Sequence, residues 1–229
     1  MSSQSPKKAL LAVFASVAKA IGSEHRLDLL EHLAQGERNV EGLAQRTGMQ
    51  LVSVSQHLQA LRKSGLVEAR RKGRNVFYSV ADDGVLRLIA ALRDVAERQV
   101  AEVDRIVNGY FRDRDSLEAV SRDELQARLR DGLVTILDVR PEDEFADGHL
   151  PGAVNVPLSQ LRKRIDELPS NREIVAYCRG PWCVLAFEAV ALLRESGRDA
   201  RRLEGGLPEW RIAGLPVEAT KMRKEDSVQ

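Results

Sequence analysis

Cysteine is scarce in this sequence, and so are aromatic residues and long apolar runs. There are two cysteines among 229 residues, and aromatic residues make up 4%. Two cysteines cannot form the network of disulfides that holds small secreted domains together. No apolar run approaches the roughly 20 residues that a membrane-spanning helix needs, and the apolar run at residues 9–20 is interrupted by Ser16 and Lys19, unlike a signal peptide. We therefore expect a cytoplasmic protein with no membrane partner, whose two thiols are reduced and reactive.

The composition favours a globular chain with two dissimilar halves. Hydrophobic residues make up 43% and charged residues 30% of the sequence, and the length is sufficient for two domains of ordinary size. Residues 1–115 carry 18 basic and 14 acidic side chains, whereas the remainder carries 17 and 20. A mildly basic first half beside an acidic second half indicates a nucleic-acid-binding module joined to a different domain.

The first half contains the pattern of a helix-turn-helix. Residues 9–20 and 24–35 have helical spacing, and a short helix over 40–47 is followed by Gly48 and a second helix over 51–65. In this last helix Val54, Leu58 and Leu61 lie on one face. The opposite face is polar and consists of Ser53, Ser55, Gln56, Gln59 and Lys63. A short helix, a turn with glycine and a helix with a polar outer face are typical of DNA-binding modules.

A basic hairpin is predicted directly after this helix. Two β-rich arms within residues 66–80 flank Lys72-Gly73-Arg74, and between Arg62 and Arg74 there are six basic residues and one acidic residue. This places about five net positive charges where the phosphate backbone of DNA would pass. The alternative is a solvated charge run on an ordinary hairpin. A helix-turn-helix followed by a basic hairpin predicts a winged helix.

Four short segments of the first half carry a family resemblance: Ser55-Gln56-His57-Leu58, Ser64-Gly65-Leu66-Val67, Arg71-Lys72-Gly73-Arg74 and Phe77-Tyr78. In these segments the chain resembles the winged-helix repressors of the arsenical-repressor (ArsR) family, over roughly residues 10–100. The resemblance implies a homodimer that binds an inverted-repeat operator in double-stranded DNA and leaves it when an inducer binds. The predicted DNA-binding residues are Ser53, Ser55, Gln56 and His57 in the major groove, and Arg70, Arg71, Lys72 and Arg74 in the hairpin.

The metal-sensing residues of that family have no counterparts in this sequence. Many members carry cysteines in the first helix of the helix-turn-helix, and here residues 40–47 contain none. Others use histidines on the last helix, and here residues 82–114 contain none. His25, His32 and His57 are scattered without the spacing of a soft-metal site. We therefore predict no metal ion and no cofactor.

One long helix is predicted over residues 82–114. Its apolar residues recur at intervals of three and four, over a length greater than one small domain requires. We expect this stripe to pair with the same helix of a second subunit. The predicted domain organisation is a mainly α winged-helix domain at 1–107, a linker at 108–117, a second domain at 118–220 and a polar tail at 221–229.

The second half alternates strands with helices. A capping-box pattern at Ser121–Glu124 begins a helix, a buried strand is predicted over 134–139, and a strand at 173–177 leads into Cys178, with a helix from Val184. This alternation predicts an α/β domain with a mostly parallel sheet. In such domains the functional loops lie at the carboxyl ends of the strands, where Cys178 falls.

Four motifs follow one another in the second half: Asp138-Val139-Arg140 with Glu144-Phe145, then residues 148–153, then Cys178 after its strand, and Glu204-Gly205-Gly206 with Glu209-Trp210. In these motifs the chain resembles the rhodanese family, over roughly residues 118–217. Members of this family accept a sulfane sulfur on the loop cysteine as a persulfide and pass it to a thiol or cyanide. The resemblance places Cys178 in that role. We expect Asp138, Arg140 and His149 to stabilise the fold.

The loop after Cys178 departs from the usual pattern of that family. An arginine is usual five positions after the cysteine, and here that position is Cys183. Arg179 supplies one positive charge beside the thiol, and Gly180, Pro181 and Trp182 complete the loop. The missing arginine disfavours turnover of a dianion such as thiosulfate. If the α-carbons of Cys178 and Cys183 lie within about 7 Å, the two residues could form a disulfide.

The sequence as a whole predicts a transcriptional regulator, which we expect to be a repressor. Its rhodanese-like domain would sense sulfane sulfur or redox state through Cys178 and Cys183, with a sulfane-sulfur donor or small thiol as partner. The alternatives are a sulfurtransferase attached to a DNA-binding domain and an As(III)-responsive regulator that uses the two thiols. Arsenate or phosphate chemistry on the loop, and a cysteine pair that merely packs, also remain open.

Overall fold

The computed structural model describes residues 5–106, Gly109 and residues 119–220 of the chain. The chain divides into two compact units, residues 1–89 and residues 90–229. The boundary lies within a helix, not at residue 107, so the predicted first domain and the first compact unit differ in extent. Most of the predicted linker (108–117) and the predicted tail (221–229) lie outside the described residues.

The first unit is built mainly of helices. Its elements are α1 (Pro6–Ile21), α2 (Glu24–Ala34), β1 (Arg38–Asn39), α3 (Val40–Thr47), α4 (Leu51–Lys63), β2 (Val67–Lys72) and β3 (Asn75–Val80), followed by the start of α5 (Asp83–Gln99). The core includes leucines of α2, α3 and α4, Val67 and Tyr78 of the hairpin strands, and residues of α1 and α5. The predicted winged helix is therefore confirmed.

The turn between α3 and α4 follows from local chemistry. The side chain of Asn39 accepts a hydrogen bond from the backbone N–H of Gly42 and caps the start of α3. At the other end Gly48 has φ of 71°, a left-handed conformation that glycine adopts without steric cost. The chain can therefore stop α3 and begin α4 within three residues, which fixes the angle between the two helices.

The wing is a three-stranded antiparallel sheet in the order β1-β3-β2. Lys72 pairs with Asn75, so Gly73 and Arg74 form a two-residue turn at the tip. Gly73 has φ of 63°, as a tight hairpin turn requires. The predicted hairpin and its basic tip are thus present.

The helix predicted over residues 82–114 is shorter and interrupted. α5 ends at Gln99 and α6 (Ala101–Ile106) begins two residues later. The backbone N–H of Val100 still donates to the carbonyl of Ala96, and that of Val103 to the carbonyl of Val100. The interruption is therefore one residue long. Most of the predicted segment beyond Ile106 lies outside the described residues.

The second unit contains a four-stranded sheet. Besides α6 and the end of α5, its elements are α7 (Arg122–Arg130), β4 (Val134–Asp138), α8 (Glu142–Asp147), β5 (Val154–Asn155), α9 (Leu158–Arg164), β6 (Glu173–Cys178), α10 (Val184–Glu195), β7 (Ala200–Gly206) and α11 (Leu207–Ile212). The strand order is β5-β4-β6-β7, and every pair of neighbours is parallel. The predicted α/β fold with a parallel sheet is confirmed.

The central strand β6 sends its side chains to two separate cores. Ile174, Ala176 and Cys178 belong to the core shared with α9 and α10. Val175 and Tyr177 belong to the core on the other side of the sheet. This alternation is the two-residue period of a strand that is buried on both faces. It places the Cys178 side chain beneath α10. Among the described residues no helix is both long and apolar enough to cross a membrane.

Candidate functional site

The two cysteines meet at the carboxyl end of the central strand. Cys178 is the last residue of β6, and Cys183 occupies the N-cap position of α10. Their α-carbons are 6.1 Å apart and their sulfurs are bonded at 2.10 Å. Cys178 is fully buried, whereas Cys183 is 9% exposed. The geometric condition for a disulfide is therefore met, and the two residues are oxidised in this structure, whereas reduced thiols were expected.

The loop between the cysteines is packed against a glycine of the neighbouring strand. A Cβ atom added at Gly206 would lie 2.3 Å from the carbonyl oxygen of Cys178 and 2.6 Å from the amide nitrogen of Gly180. Glycine is thus the residue that lets the end of β7 approach the loop. The N–H of Gly206 donates to the Glu209 carboxylate at 2.9 Å, which fixes this approach.

Arg179 is engaged by a buried carboxylate. Its Nε and Nη2 atoms donate to Glu144 of α8 at distances between 2.7 and 3.2 Å. The Glu144 side chain is 1% exposed and that of Arg179 17%. A bidentate pair of this kind holds the guanidinium in a fixed orientation and neutralises its charge. Arg179 was expected to supply a positive charge beside the thiol, and its charge is instead compensated by Glu144.

A buried polar network supports the strand that precedes the loop. Arg140 donates to the Asp138 carboxylate through Nε at 3.0 Å and to the carbonyl of Gly148 at 2.8 Å. The hydroxyl of Tyr177 donates to Asp138 and accepts from the N–H of Leu150. Burial and then the charge of Asp138 raise the pKa of Tyr177 well above its ordinary value. Tyr177 therefore remains a neutral donor.

His149 has contacts that hold a turn rather than contacts that serve chemistry. Its Nδ1 atom lies 2.7 Å from the carbonyl oxygen of Phe145, and the two rings stack with centroids 3.7 Å apart. Its backbone pairs with Glu218 in both directions, at 2.8 and 2.9 Å. These contacts support the expectation that His149 stabilises the fold, as those of Asp138 and Arg140 do for their strand.

Trp182 is the large side chain of the loop. Within residues 90–229 its indole N–H donates to the carboxylate of Glu97 in α5 at 2.5 Å. Arg93, one turn earlier on α5, pairs with Glu209 at 2.8 Å. An open cavity of about 350 Å³ is lined by Arg93, Glu97 and Glu209 together with Pro181 and Gly205. The loop is therefore held from β7, α8 and the second half of α5.

The donor set around the cysteines is small. In the described part of the chain, no group of three or more histidine, cysteine, aspartate or glutamate side chains is placed to hold a metal ion. An As(III) ion prefers three soft ligands, and the loop offers the two thiols. The geometry gives the As(III) alternative no further support.

The exposed face of α4 is narrower than the sequence suggested. Gln56 and Gln59 are exposed, whereas Ser53, Ser55 and His57 are half-buried. The ring of His57 lies 5.5 Å from that of His25. Burial, and then the positive charges of Arg26 and His25, lower the pKa of His57 below its ordinary value. His57 is therefore neutral near pH 7 and packs against its neighbours, while the side chain of Gln56 stays exposed.

The wing carries exposed cations at its tip. Arg71, Lys72 and Arg74 are exposed. Arg70 is also exposed, but its guanidinium forms a bidentate pair with Glu37 at 2.9 and 3.1 Å. The first three cations are thus available to phosphate groups at lower cost than Arg70.

We expect the wing and α4 to contribute differently to DNA binding. Arg71→Ala or Arg74→Ala should weaken binding to all DNA sequences and reduce the slope of log affinity against log salt by about 1. Gln56→Ala should instead reduce sequence preference by about 1–3 kcal/mol, the value of a lost base contact. Titrations with specific and random duplexes at several salt concentrations measure both effects.

Arg70→Ala is the matched control for the wing. Because Glu37 already pairs with Arg70, this substitution should change the salt slope less than Arg71→Ala does. If Gln56→Ala weakened specific and random DNA equally, the placement of α4 in the major groove would be wrong.

Sequence reasoning did not identify the roles of Glu144, Gly206 and Glu97. Glu144 and Gly206 lie in segments already quoted for the rhodanese resemblance, so those motifs could have marked them as loop-supporting residues. No signal in the sequence marks Glu97, because its partner Trp182 is 85 positions away.

Two family models match the chain. Residues 23–69 match the bacterial regulatory protein, arsR family, and residues 121–213 match the rhodanese-like domain. Over 219 residues the chain is 46% identical to the HTH-type transcriptional regulator Rv0324 of Mycobacterium tuberculosis. The aligned segment covers 95% of this chain and 96% of that protein. Over 102 residues it is 32% identical to a sulfurtransferase of Allochromatium vinosum. That aligned segment covers 44% of this chain and 94% of the sulfurtransferase.

Two similar solved structures each cover less than half of this chain. The homodimeric winged helix-turn-helix domain of Mb0332 from Mycobacterium bovis is 48% identical, with a TM-score of 0.40, and covers 44% of this chain and 94% of that one. A rhodanese-related protein from Thermoplasma volcanium is 25% identical, with a TM-score of 0.41, and covers 46% of this chain and 100% of that one.

Proposed function

Since the chain belongs to the ArsR family of transcriptional regulators and carries a rhodanese-like domain in its C-terminal half, we propose that it is a repressor controlled by sulfane sulfur or by oxidation. In this proposal Cys178 and Cys183 are the sensing residues. The observation that carries the proposal is the cysteine pair itself, bonded as a disulfide with α-carbons 6.1 Å apart at the end of the central strand. This pair stands where a sulfur-carrying cysteine is expected, with a second thiol in bonding range.

The proposed chemistry begins with thiol exchange at Cys178. The Cys178 thiolate attacks the outer sulfur of a persulfide R–S–SH, forms Cys178–S–SH and releases R–S⁻. The Cys183 thiolate then attacks Sγ of Cys178, forms the disulfide and releases HS⁻. An organic or hydrogen peroxide reaches the same disulfide by accepting two electrons and two protons from the two thiols. Both routes end in the bonded state that the structure contains.

The position of Cys183 favours the reactive form of its thiol. Cys183 is the N-cap residue of α10, and the partial positive charge of a helix N-terminus stabilises a thiolate. Cys178 is buried, so a donor reaches it only when the loop opens. Cys183 is the more accessible sulfur of the bonded pair and is the one that a reducing thiol would meet first.

Two features favour a sensor over a sulfurtransferase that turns over. Glu144 neutralises Arg179, so the loop offers little positive charge to an anionic donor such as thiosulfate. Cys183 also competes with any external acceptor for reaction with the Cys178 persulfide, because its sulfur is already within reach of Sγ of Cys178. A persulfide formed on Cys178 is therefore expected to resolve internally rather than to pass to another molecule.

The DNA-binding form is proposed to be a homodimer on an inverted-repeat operator. α1 exposes Leu10, Leu11, Val13 and Phe14, and α5 exposes Leu88, Leu92 and Val95. Exposed apolar stripes on two helices are typical of a surface that a second subunit covers. α5 also carries Glu97, which contacts Trp182, so a change in the loop acts on a helix with an exposed apolar stripe.

A pair of single substitutions tests the sensing role. Cys178→Ser should abolish both the sulfur adduct and the loss of operator binding on exposure to polysulfide. Cys183→Ser should accumulate a stable persulfide on Cys178, with a mass increase and no internal disulfide. Intact mass spectrometry and operator titration on the same samples measure both properties. The wild type should release the operator with at least about a tenfold loss of affinity, equivalent to about 1.4 kcal/mol.

The controls separate sensing from catalysis. If both variants still released DNA like the wild type, the sensing residues would lie elsewhere and the proposal would fail. Repeated turnover of thiosulfate or a persulfide donor by the wild type, without release of DNA, would favour the sulfurtransferase alternative. An adduct of As(III) on the two thiols, accompanied by release of DNA that polysulfide does not cause, would favour the metalloid alternative.

A further inference from the structure

The first turn of α4 places apolar side chains on a surface that is otherwise polar. Val52 is 68% exposed and Leu51 is 51% exposed. Val52 lies four residues before Gln56 and seven before Gln59, so the three share one stripe of the helix. The residues facing the core are Val54, Leu58 and Leu61, all fully buried. Val52 is therefore outside the core and on the same face as the exposed glutamines.

We infer that Val52 contacts the 5-methyl group of a thymine in the operator. In helix-turn-helix proteins the N-terminal residues of the second helix contact base edges in the major groove. A valine side chain has no hydrogen-bond donor or acceptor, so it cannot distinguish bases by hydrogen bonds. The thymine methyl is the apolar group that standard bases display in the major groove. Contact between the two removes apolar surface of both from water.

The register of the helix limits where that thymine lies. Four residues of α-helix advance about 6 Å along the axis, and base pairs are stacked about 3.4 Å apart. Val52 and Gln56 therefore face positions one or two base pairs apart. The thymine should lie within two base pairs of the position at which Gln56→Ala relaxes base preference, once in each half-site.

This inference rests on the proposed operator binding, and one experiment distinguishes the two. The full chain first selects its operator from a pool of randomised duplexes under reducing conditions. Each thymine of the selected operator is then replaced singly by deoxyuridine, which keeps the base pair and removes the methyl group. Affinities are measured for the wild type, Val52→Ala, Leu51→Ala and Gln56→Ala.

For the wild type, there should be one thymine in each half-site whose replacement by deoxyuridine weakens binding by about fourfold. That is the effect of one buried methyl group. Val52→Ala should weaken binding to the selected operator by a similar factor. Replacing that same thymine by deoxyuridine should then lower the affinity of Val52→Ala little further. Leu51→Ala and Gln56→Ala should keep the methyl dependence. The thermal midpoint and the affinity for random DNA should be the same in Val52→Ala as in the wild type, because the side chain is exposed.

Three results would overturn the inference while leaving operator binding intact. In the first, no thymine methyl group affects the affinity of the wild type for the operator. In the second, Val52→Ala loses as much affinity as the wild type when the methyl group is removed. In the third, Leu51→Ala, and not Val52→Ala, becomes insensitive to the methyl group. Failure to select any operator would overturn both the inference and the proposed function.

Discussion

Arg140→Met is expected to lower the free energy of unfolding of the second unit by about 3–5 kcal/mol. Asp138 and Arg140 are both fully buried, and removing the cation leaves an uncompensated carboxylate in the interior. Burial by itself lowers the pKa of Arg140, but the hydrogen bond and charge of Asp138 outweigh it and raise the pKa above its usual value. Since domains are stable by about 5–15 kcal/mol, between about one fifth and all of the stability would be lost.

Tryptophan fluorescence during urea denaturation measures this effect selectively. Both tryptophans of the chain, Trp182 and Trp210, lie in the second unit. Arg162→Met is the matched control, because Arg162 forms an exposed pair with Glu195 and should contribute about 0–1 kcal/mol. Equal denaturation midpoints for the two variants would show that Asp138 does not depend on Arg140.

The elements that sequence patterns predicted are those with a strong local or periodic signal. The strand β6 (Glu173–Cys178) was predicted from an apolar run bounded by a loop. The turn after α3 follows from Gly48, and the wing tip from Gly73. The Cys178–Cys183 pair was foreseeable because the two residues are five positions apart on a strand end and a helix start.

The ion pairs that engage arginines of the wing and of the cysteine loop could not be predicted in the same way. Arg70 pairs with Glu37 across 33 positions, and Arg179 pairs with Glu144 across 35. Counting basic residues in a segment assigns both cations to a ligand, whereas the folded chain assigns them to carboxylates. Such pairs depend on tertiary packing, which a local pattern does not encode. The same holds for the interruption of α5 at Val100, where the apolar spacing continues through the break.

Leu92→Glu is expected to dissociate the proposed dimer and to abolish operator binding. Leu92 is 40% exposed, and it shares the exposed stripe of α5 with Leu88 and Val95. In a dimer joined through this stripe the new carboxylate would be buried without a partner, at a cost of about 3–5 kcal/mol in association free energy. That cost weakens the dimer by more than about 100-fold. Analytical ultracentrifugation should show a monomer at concentrations where the wild type is dimeric.

Footprinting of the Leu92→Glu variant on the operator tests whether the protein binds DNA as a dimer. A monomer contacts one half-site, so footprinting should show loss of two-fold protection while affinity for random DNA falls much less. Leu92→Met is the control, because it keeps an apolar side chain of similar volume and should preserve both the dimer and the footprint. A monomeric wild type with full operator affinity, or a dimeric Leu92→Glu variant, would contradict assembly through α5. The exposed stripe on α1, with Leu10, Leu11 and Phe14, would then be the surface to test next.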